Sequence, residues 1–225
     1  MSQRAALKFR VDLHVHTRRF SPCAEALDPQ HLPLIMARRG LHGLVITEHD
    51  QLWPEEDIES LNKMLKGTRI YRGVEVSSRN GHFVVIGLDA LDNIKPGIAI
   101  GALIEKIQAQ DAAIIWAHPH MHYGQTPEPL DAAKMPGGIH AVEIVSSVTW
   151  GQRSLEAQVC AGQMRCAAVG GSDAHSLGQV GRAFTLFGEL PANEKSLAAT
   201  IRSGICKAAA MPFPFSNQGP NPGEI

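Results

Sequence analysis

The chain has 225 residues and a formal net charge of −1, with 44% hydrophobic and 19% charged residues. This composition is typical of a globular protein with one buried core. The near-neutral charge balance favours neither duplex nucleic acid nor an anionic membrane surface as a partner, so we expect neither. Because we find no signal-peptide pattern, no apolar run of membrane length and no C-x-x-C pair, we expect a cytoplasmic protein.

The first predicted strand covers residues 9–16 and alternates apolar and polar residues. A period of two places Asp12, His14 and His16 on one face of this strand, and the valines and leucine between them on the other. A polar loop follows, and then Asp28 and Pro29 predict the start of a helix that ends at Gly40.

The second predicted strand, residues 41–47, runs into His49, and a helix follows over residues 55–66. The third strand, residues 68–76, carries Glu75 between two valines. Burying such a carboxylate is costly unless it is paired or coordinated.

A hairpin-type turn is predicted at residues 80–81, which places His82 at the head of the next strand, residues 83–86. A helix over residues 100–110 precedes a continuous apolar strand, residues 112–117, that ends at His118.

The strand predicted over residues 140–145 carries a second internal acid, Glu143, which could orient a metal ligand or simply contact a neighbour. The helix after it is expected to span residues 154–161 and to end at Gly162. A short strand over residues 167–170 then leads to Asp173 and His175, which could hold a metal ion together.

The last predicted elements are a strand over residues 183–187 and a helix that Asn193 caps and Gly204 ends. We expect residues 1–210 to form one domain and residues 211–225, rich in proline and glycine, to be a tail. Strands that alternate with helices predict a parallel α/β fold, and a closed barrel fits better than an open sheet, because no glycine-rich dinucleotide turn follows the first strand. The active site of such a barrel lies at the carboxyl ends of its strands.

Histidines and acids cluster at these strand ends in numbers that exceed the needs of one cation. We therefore expect two or three ions with Glu75 as a bridge, and the mixture of imidazole and carboxylate suits zinc, manganese or iron. The candidate ligands are His14, His16, His49, Glu75, His82, His118, Asp173 and His175.

The same segments resemble the PHP (polymerase and histidinol phosphatase) family of metal-dependent phosphoesterases. Six matching pieces occur in family order: Asp-Leu-His-Val-His-Thr17, Ile-Thr-Glu-His-Asp50, Gly-Val-Glu-Val76, Gly-His-Phe83, Trp-Ala-His-Pro119 and Gly-Ser-Asp-Ala-His-Ser176. The resemblance implies a distorted TIM-like (β/α)7 barrel with a di- or trinuclear metal centre at the carboxyl ends of the strands.

The resemblance also implies how the ligands divide among the ions. One ion would take His14, His16, Glu75 and Asp173, and a second would take Glu75, His82 and His118. A third would take His49, His175 and a ligand from the loop after His16. Many members have an acid or a histidine in that loop, whereas this chain reads Ser21-Pro-Cys-Ala24. Either Cys23 supplies a thiolate there or the third site is weak or lost.

The implied function is hydrolysis of a small phosphorylated metabolite or nucleotide by a metal-activated water, with His49 or His175 protonating the leaving group. Arg18, Arg19 and Arg182 are candidate phosphate contacts. The alternatives are a non-catalytic metal-binding module of a larger complex and an amidohydrolase-type metallohydrolase. The sequence leaves open whether the chain forms a homo-oligomer.

Overall fold

The structure is a computed structural model that describes residues 6–119, 132–149 and 151–212. Nine strands form one sheet in the order β7-β6-β5-β4-β3-β2-β1-β8-β9. The strands are β1 (Phe9–Val15), β2 (Gly43–His49), β3 (Arg69–Ser78), β4 (Gly81–Ile86), β5 (Ala113–Trp116), β6 (Ala141–Val145), β7 (Ala167–Gly170), β8 (Ala183–Phe187) and β9 (Lys207–Ala210). The α-helices are α1 (Leu32–Arg39), α2 (Glu55–Asn62), α3 (Ile100–Ala109), α4 (Gln152–Met164) and α5 (Glu194–Ser203).

The sheet curls into a nearly closed barrel, as the distorted TIM-like fold class requires. Strands β1, β2 and β3 are parallel neighbours, as are β5, β6 and β7. Strand β7 lies against β8 and β9 across the remaining gap. The carboxyl ends of the parallel strands therefore meet on one side of the barrel.

Two strands, β4 and β8, run against this direction. The predicted turn at residues 80–81 is confirmed as the hairpin between β3 and β4, and a hairpin reverses the chain without a crossover. Because β4 is reversed, its first residues lie beside the carboxyl ends of its parallel neighbours. His82 reaches the same side of the barrel as Glu75 for this reason.

Helix α5 closes the opposite end of the barrel. Its buried residues Leu197, Ala198 and Ile201 join the interior cluster that also holds Tyr71 and Ile115. Helices α3 and α4 cover one side of the sheet, and α1 and α2 cover another, each with its own cluster of buried residues. This packing positions the strands, and with them the side chains at their carboxyl ends.

Three of the predicted helix boundaries are confirmed. Asn193 forms a capping box with Ser196 at the start of α5, and Gly204 ends that helix in the left-handed region. Gly40 ends α1 in the same conformation, while Asp28 caps a short 3-10 helix, Pro29–His31, that leads into α1.

Two local expectations are wrong. Helix α4 continues through Gly162 and ends only where Arg165 takes a left-handed φ of 53°, because a single helical glycine costs only about 1 kcal/mol. On β1, Val11 and Leu13 face the barrel interior, but Val15 joins the outer cluster. An irregularity in the pairing of β1 with β2, between Asp12 and Val15, breaks the alternation.

No helix in the described part of the chain is both long and apolar enough to cross a membrane. His120, His122 and residues 213–225 of the expected tail lie outside the described residues. The division into a barrel domain and a tail stays a prediction.

Candidate metal centre

All eight histidines and acids predicted as ligands lie together on one side of the barrel. They reach it from the carboxyl ends of parallel strands, from the loops that follow those strands, and from the start of the reversed strand β4. The structure places His14 on β1, His16 just after it, His49 at the end of β2, Glu75 on β3, His82 on β4, His118 two residues after β5, and Asp173 and His175 after β7.

Glu75 is the fully buried centre of this group. One carboxylate oxygen, Oε1, lies 2.9 Å from His118 Nε2 and 3.0 Å from His82 Nδ1. Both distances are those of a hydrogen bond or of two ligands that share a cation. Oε1 therefore faces one pair of imidazoles.

The second oxygen, Oε2, faces three other imidazoles. It lies 2.9 Å from His49 Nδ1, 3.2 Å from His16 Nε2 and 3.5 Å from His14 Nε2. Despite these short distances, Oε2 is buried and has no hydrogen-bond partner among the described residues. A buried anionic oxygen without a hydrogen bond is costly. A cation between Oε2 and the ring nitrogens removes that cost.

The rings of His14 and His16 point their Nε2 atoms at each other across 3.1 Å. Asp173 Oδ1 lies 3.5 Å from the first of these nitrogens and 3.4 Å from the second. At this distance one nitrogen can donate a hydrogen bond to the other, whereas two nitrogens that both carry a lone pair repel unless a cation lies between them. The nitrogens and oxygens thus fit a divalent cation of the zinc, manganese or iron type, whose preferred donors they are.

His16 also lies between two further imidazoles. Its ring stacks on that of His49 at a centroid distance of 4.4 Å and on that of His175 at 4.5 Å. These three histidines form the group that the resemblance to the PHP family assigns in part to a third ion. The thiol expected to complete it belongs to Cys23, which is exposed in the 3-10 helix Pro22–Ala24.

Four groups of three ligand atoms within 4.8 Å of one another occur among the described residues. They are His14, His16 and Glu75; His14, His118 and Asp173; His49, Glu75 and His82; and His16, His49 and His175. Two of the groups contain Glu75, and the others overlap with these two through His14, His16 and His49, as expected for a cluster that holds more than one cation. None of them includes Cys23, so its role as a ligand stays a prediction, like the division of ligands among the ions.

The carboxylates and imidazoles of the cluster carry complementary charges. Burial opposes the charged form of Glu75, but His14 and the other imidazoles outweigh it and hold the pKa of that carboxyl well below its usual value. Burial likewise opposes charge on His14, but Glu143 and Glu75 raise its pKa well above the usual value. For His175 burial dominates, with a further contribution from His16, and the pKa is lowered. The neutral form of His175 that results is the one that binds a metal ion.

Several supporting residues are not found by sequence reasoning. The Glu48 carboxylate accepts hydrogen bonds from the Thr17 backbone N–H (3.1 Å) and from Trp53 Nε1 (2.9 Å). The Ser21 hydroxyl lies 3.3 Å from His16 Nδ1 and accepts from the His49 backbone N–H at 3.3 Å. These contacts fix the ends of β1 and β2 relative to each other. Glu48 belongs to the same sequence motif as His49, but its contact with Thr17 is determined by the fold.

Asp12 supports the backbone rather than an imidazole. It accepts from the backbone N–H groups of Ser172 (2.7 Å) and Gly181 (2.8 Å), and from that of His14 at 3.3 Å. It therefore ties β1 to the loop that carries Asp173. All three of these contacts are with backbone groups and none is with a histidine ring.

The three predicted phosphate-binding arginines have local partners. Arg18 pairs with Asp28. Arg19 lies 2.5 Å from Asp57 and packs over the Trp53 ring at 4.6 Å. Arg182 donates to the Gly178 carbonyl at 2.8 Å. Their role in substrate binding stays a prediction.

Comparison by sequence finds a family model described as PHP-associated, which matches residues 153–206. No curated protein matches the chain. The matched segment covers most of α4 and runs through β7, the loop with Asp173 and His175, β8 and α5.

Comparison by structure finds several proteins with the same fold. PsfC from Pseudomonas syringae PB-5123 superposes with a TM-score of 0.64 at 19% identity, over 90% of this chain and 91% of PsfC. A two-domain protein from Bacteroides vulgatus ATCC 8482, containing a predicted PHP-like metal-dependent phosphoesterase, gives 0.67 at 18% identity, over 93% of this chain and 69% of that protein. Together with the sequence match, these findings support the PHP domain family for this chain.

A third similar structure is the lesion-specific endonuclease PfuEndoQ from Pyrococcus furiosus, with a TM-score of 0.60 at 16% identity over 89% of this chain and 57% of the endonuclease. A similar fold is thus also found in a protein described as a lesion-specific endonuclease. The net charge of this chain argues against a duplex partner, but its fold does not exclude one. The expectation that the chain does not bind duplex nucleic acid is therefore weaker than the sequence alone suggests.

Proposed function

We propose that the chain is a metal-dependent phosphoesterase that hydrolyses a small phosphorylated metabolite or a nucleotide. The observation that carries the proposal is the Glu75 carboxylate, whose two oxygens face different sets of imidazoles in a buried site. A carboxylate in this position is suited to bridge two cations. When bound, two such cations supply an activated water and neutralise charge on the phosphoryl oxygens.

The residues of the chain have separate roles in this proposal. Glu75 would bridge the cations. His14, His16 and Asp173 would hold one of them, and His82 and His118 would hold the other. His49 and His175 lie at the open side of the cluster, with side chains 32% and 30% exposed. Because the pKa of His175 is lowered by burial, it serves better as a neutral ligand. His49 is therefore the candidate that protonates the leaving alkoxide.

The substrate class follows from size and charge. The net charge of −1 provides no extended basic surface for a long nucleic acid. Arg19, on the loop after His16, is a candidate phosphate contact if it exchanges Asp57 for the substrate. A small phosphate ester requires only such local contacts.

Two alternatives remain for the experiment to separate. An amidohydrolase-type site would use a carbamylated lysine as the bridge, and here Glu75 occupies the bridging position. A non-catalytic module would bind metal without turnover.

The test uses the purified chain loaded with Zn²⁺ or Mn²⁺ and assayed on p-nitrophenyl phosphate and bis-p-nitrophenyl phosphate. A duplex oligonucleotide with an abasic site and an aryl amide serve as the competing substrates. We expect hydrolysis of at least one aryl phosphate, abolished in Glu75→Gln and retained in the exposed variant Glu55→Gln. Bound metal without turnover of any phosphate ester contradicts the proposal and favours the non-catalytic module.

A further inference from the structure

Glu143 lies beside the metal centre and contacts candidate ligands without being one of them. It lies on β6, is 2% exposed, and belongs to none of the converging ligand groups among the described residues. Its Oε1 atom lies 3.1 Å from His14 Nδ1. Its Oε2 atom accepts a hydrogen bond from the His118 backbone N–H, also at 3.1 Å. One carboxylate thus contacts two candidate ligands that arrive from different strands.

We propose that Glu143 is the positioning residue of the metal centre, which holds His14 in the tautomer with its proton on Nδ1 and fixes His118 beside it. A carboxylate can only accept, so the His14 nitrogen that faces it must donate. When a cation is bound, the Nε2 atom of His14 would carry the lone pair, directed toward His16 and Asp173. The inference rests on the metal-binding part of the proposed function and not on the reaction.

The second contact bears on the backbone of His118. This residue has a φ of 26°, a conformation that L residues with a side chain rarely adopt. The hydrogen bond from its N–H to Glu143 holds the backbone in that conformation. The His14 and His118 rings then stack at a centroid distance of 5.7 Å and an interplanar angle of 24°. The same side chain therefore sets the spacing of both rings.

Gly171 provides the space for this arrangement. A Cβ atom at this position would lie 2.6 Å from the His14 Cβ and 2.7 Å from Glu143 Oε1. No side chain fits there without displacing one of them. The glycine before Ser172 and Asp173 thus allows the β6 carboxylate to reach the β1 imidazole.

Both groups that contact Glu143 donate hydrogen bonds to it, so the substitution Glu143→Gln can test its role. The side chain of glutamine has nearly the same shape but offers one acceptor and one donor. If its oxygen faces the His118 N–H, its amide group faces His14 Nδ1 and favours the tautomer with the proton on Nε2. If its oxygen faces His14, the amide group opposes the His118 N–H. Either orientation breaks one of the two contacts.

The experiment measures zinc affinity by competition with a chelator, together with zinc content by elemental analysis. We expect Glu143→Gln to bind its zinc about 10- to 100-fold more weakly than the wild type, the range for loss of a group that orients a ligand. Glu156→Gln, the same change at an exposed position on α4, is the control and retains wild-type affinity. Unchanged affinity in folded Glu143→Gln overturns the inference.

A second measurement applies to the wild type and so does not depend on the variant folding. In the zinc-loaded protein with ¹⁵N-labelled histidine, we expect His14 to show a slowly exchanging proton on Nδ1 and none on Nε2. A proton on Nε2, or coordination through Nδ1, contradicts the role of Glu143. A chain that takes up no zinc contradicts the metal centre itself, which distinguishes the two failures.

Discussion

The hydroxyl of Thr185 forms hydrogen bonds between β8 and β7, two strands that are not neighbours in the order of the sheet. Its Oγ1 accepts a hydrogen bond from the Gly170 backbone N–H at 2.9 Å and donates one to the Gly170 carbonyl at 2.8 Å. Thr185 is fully buried on β8, and Gly170 ends β7 just before the loop that carries Asp173. One side chain therefore links β7 to β8, which pairs through its backbone with β1 and β9.

Replacing Thr185 by valine keeps the shape of the side chain but removes both hydrogen bonds. Because the Gly170 N–H and carbonyl are then left buried without this partner, we expect the free energy of unfolding to fall by about 1–3 kcal/mol. Urea denaturation of the metal-loaded protein measures the change. Thr185→Ser keeps the hydroxyl and is the control. A loss of stability in Thr185→Ser with none in Thr185→Val would mean that the methyl group, and not the hydroxyl, stabilises this contact.

The order of strands and helices could be predicted because local signals coincide with tertiary structure. The turn at residues 80–81 indicates the hairpin, and the cap at Asn193 and the glycine at 204 mark both ends of α5. These residues act through the backbone conformation of their own segment. The reversal of β8 has no such signal, since nothing local to residues 183–187 determines which strand they pair with.

The members of the metal centre were also visible in the sequence, because side chains of one chemistry recur at successive strand ends. Their supports were visible only in part: the sequence indicated that Glu143 could orient a ligand, but not which ligand, and it did not indicate the contacts of Glu48. Glu143 and Glu48 contact residues that lie distant in the chain, and only the closure of the barrel brings these pairs together. The break in alternation at Val15 likewise depends on the pairing of β1 with β2.

Glu75→Gln tests the bridge directly. If both oxygens of Glu75 hold cations, the variant should lose more than one equivalent of metal, since the amide nitrogen of glutamine cannot ligate and its neutral oxygen binds weakly. Elemental analysis after dialysis measures the metal content. Glu55→Gln, with its side chain 73% exposed, provides the matched control. Loss of a single equivalent would move the bridge to another carboxylate.

His14→Ala should lower metal content and phosphoesterase activity together. The ring of His14 lies within 3.5 Å of both Glu75 and Asp173, so its removal takes away a nitrogen from the most buried part of the cluster. His31→Ala, at an exposed position in the 3-10 helix before α1, should change neither quantity. Full metal content in His14→Ala would contradict the assignment of this residue as a ligand.

Cys23 can be tested by its reactivity. Cys166 and Cys206 are partly buried, and burial raises the pKa of each thiol to about 11, so both should react slowly with an alkylating reagent near neutral pH. Cys23 is exposed and should react first. If it ligates a third ion, zinc should protect it, and Cys23→Ser should bind less zinc. Equal labelling of Cys23 with and without zinc would leave the third ion without a thiolate.

Two histidines on the far side of the barrel should make stability depend on pH. His42 Nδ1 accepts the Arg10 backbone N–H at 3.1 Å, and His140 Nδ1 accepts that of Ile114 at 3.1 Å. Burial lowers the pKa of both below the ordinary value of 6.5, with contributions from Arg10 at His42 and from Arg202 at His140. Both rings are therefore neutral acceptors in the folded protein.

The sign of the pH dependence follows from these lowered pKa values. Below pH 6.5 the unfolded chain binds protons at these histidines before the folded chain does, so stability is lost as the pH falls from 6.5 through the folded pKa values. The double variant with His42→Asn and His140→Asn keeps an acceptor oxygen at each position but cannot titrate. The free energy of unfolding of the wild type, relative to that of this variant, should decrease as the pH falls below 6.5. Above pH 6.5 the difference between the two free energies should be constant. Urea denaturation of both metal-loaded proteins across this range measures the difference. A constant difference throughout would show that neither imidazole has a lowered pKa, because every other group titrates alike in the two proteins.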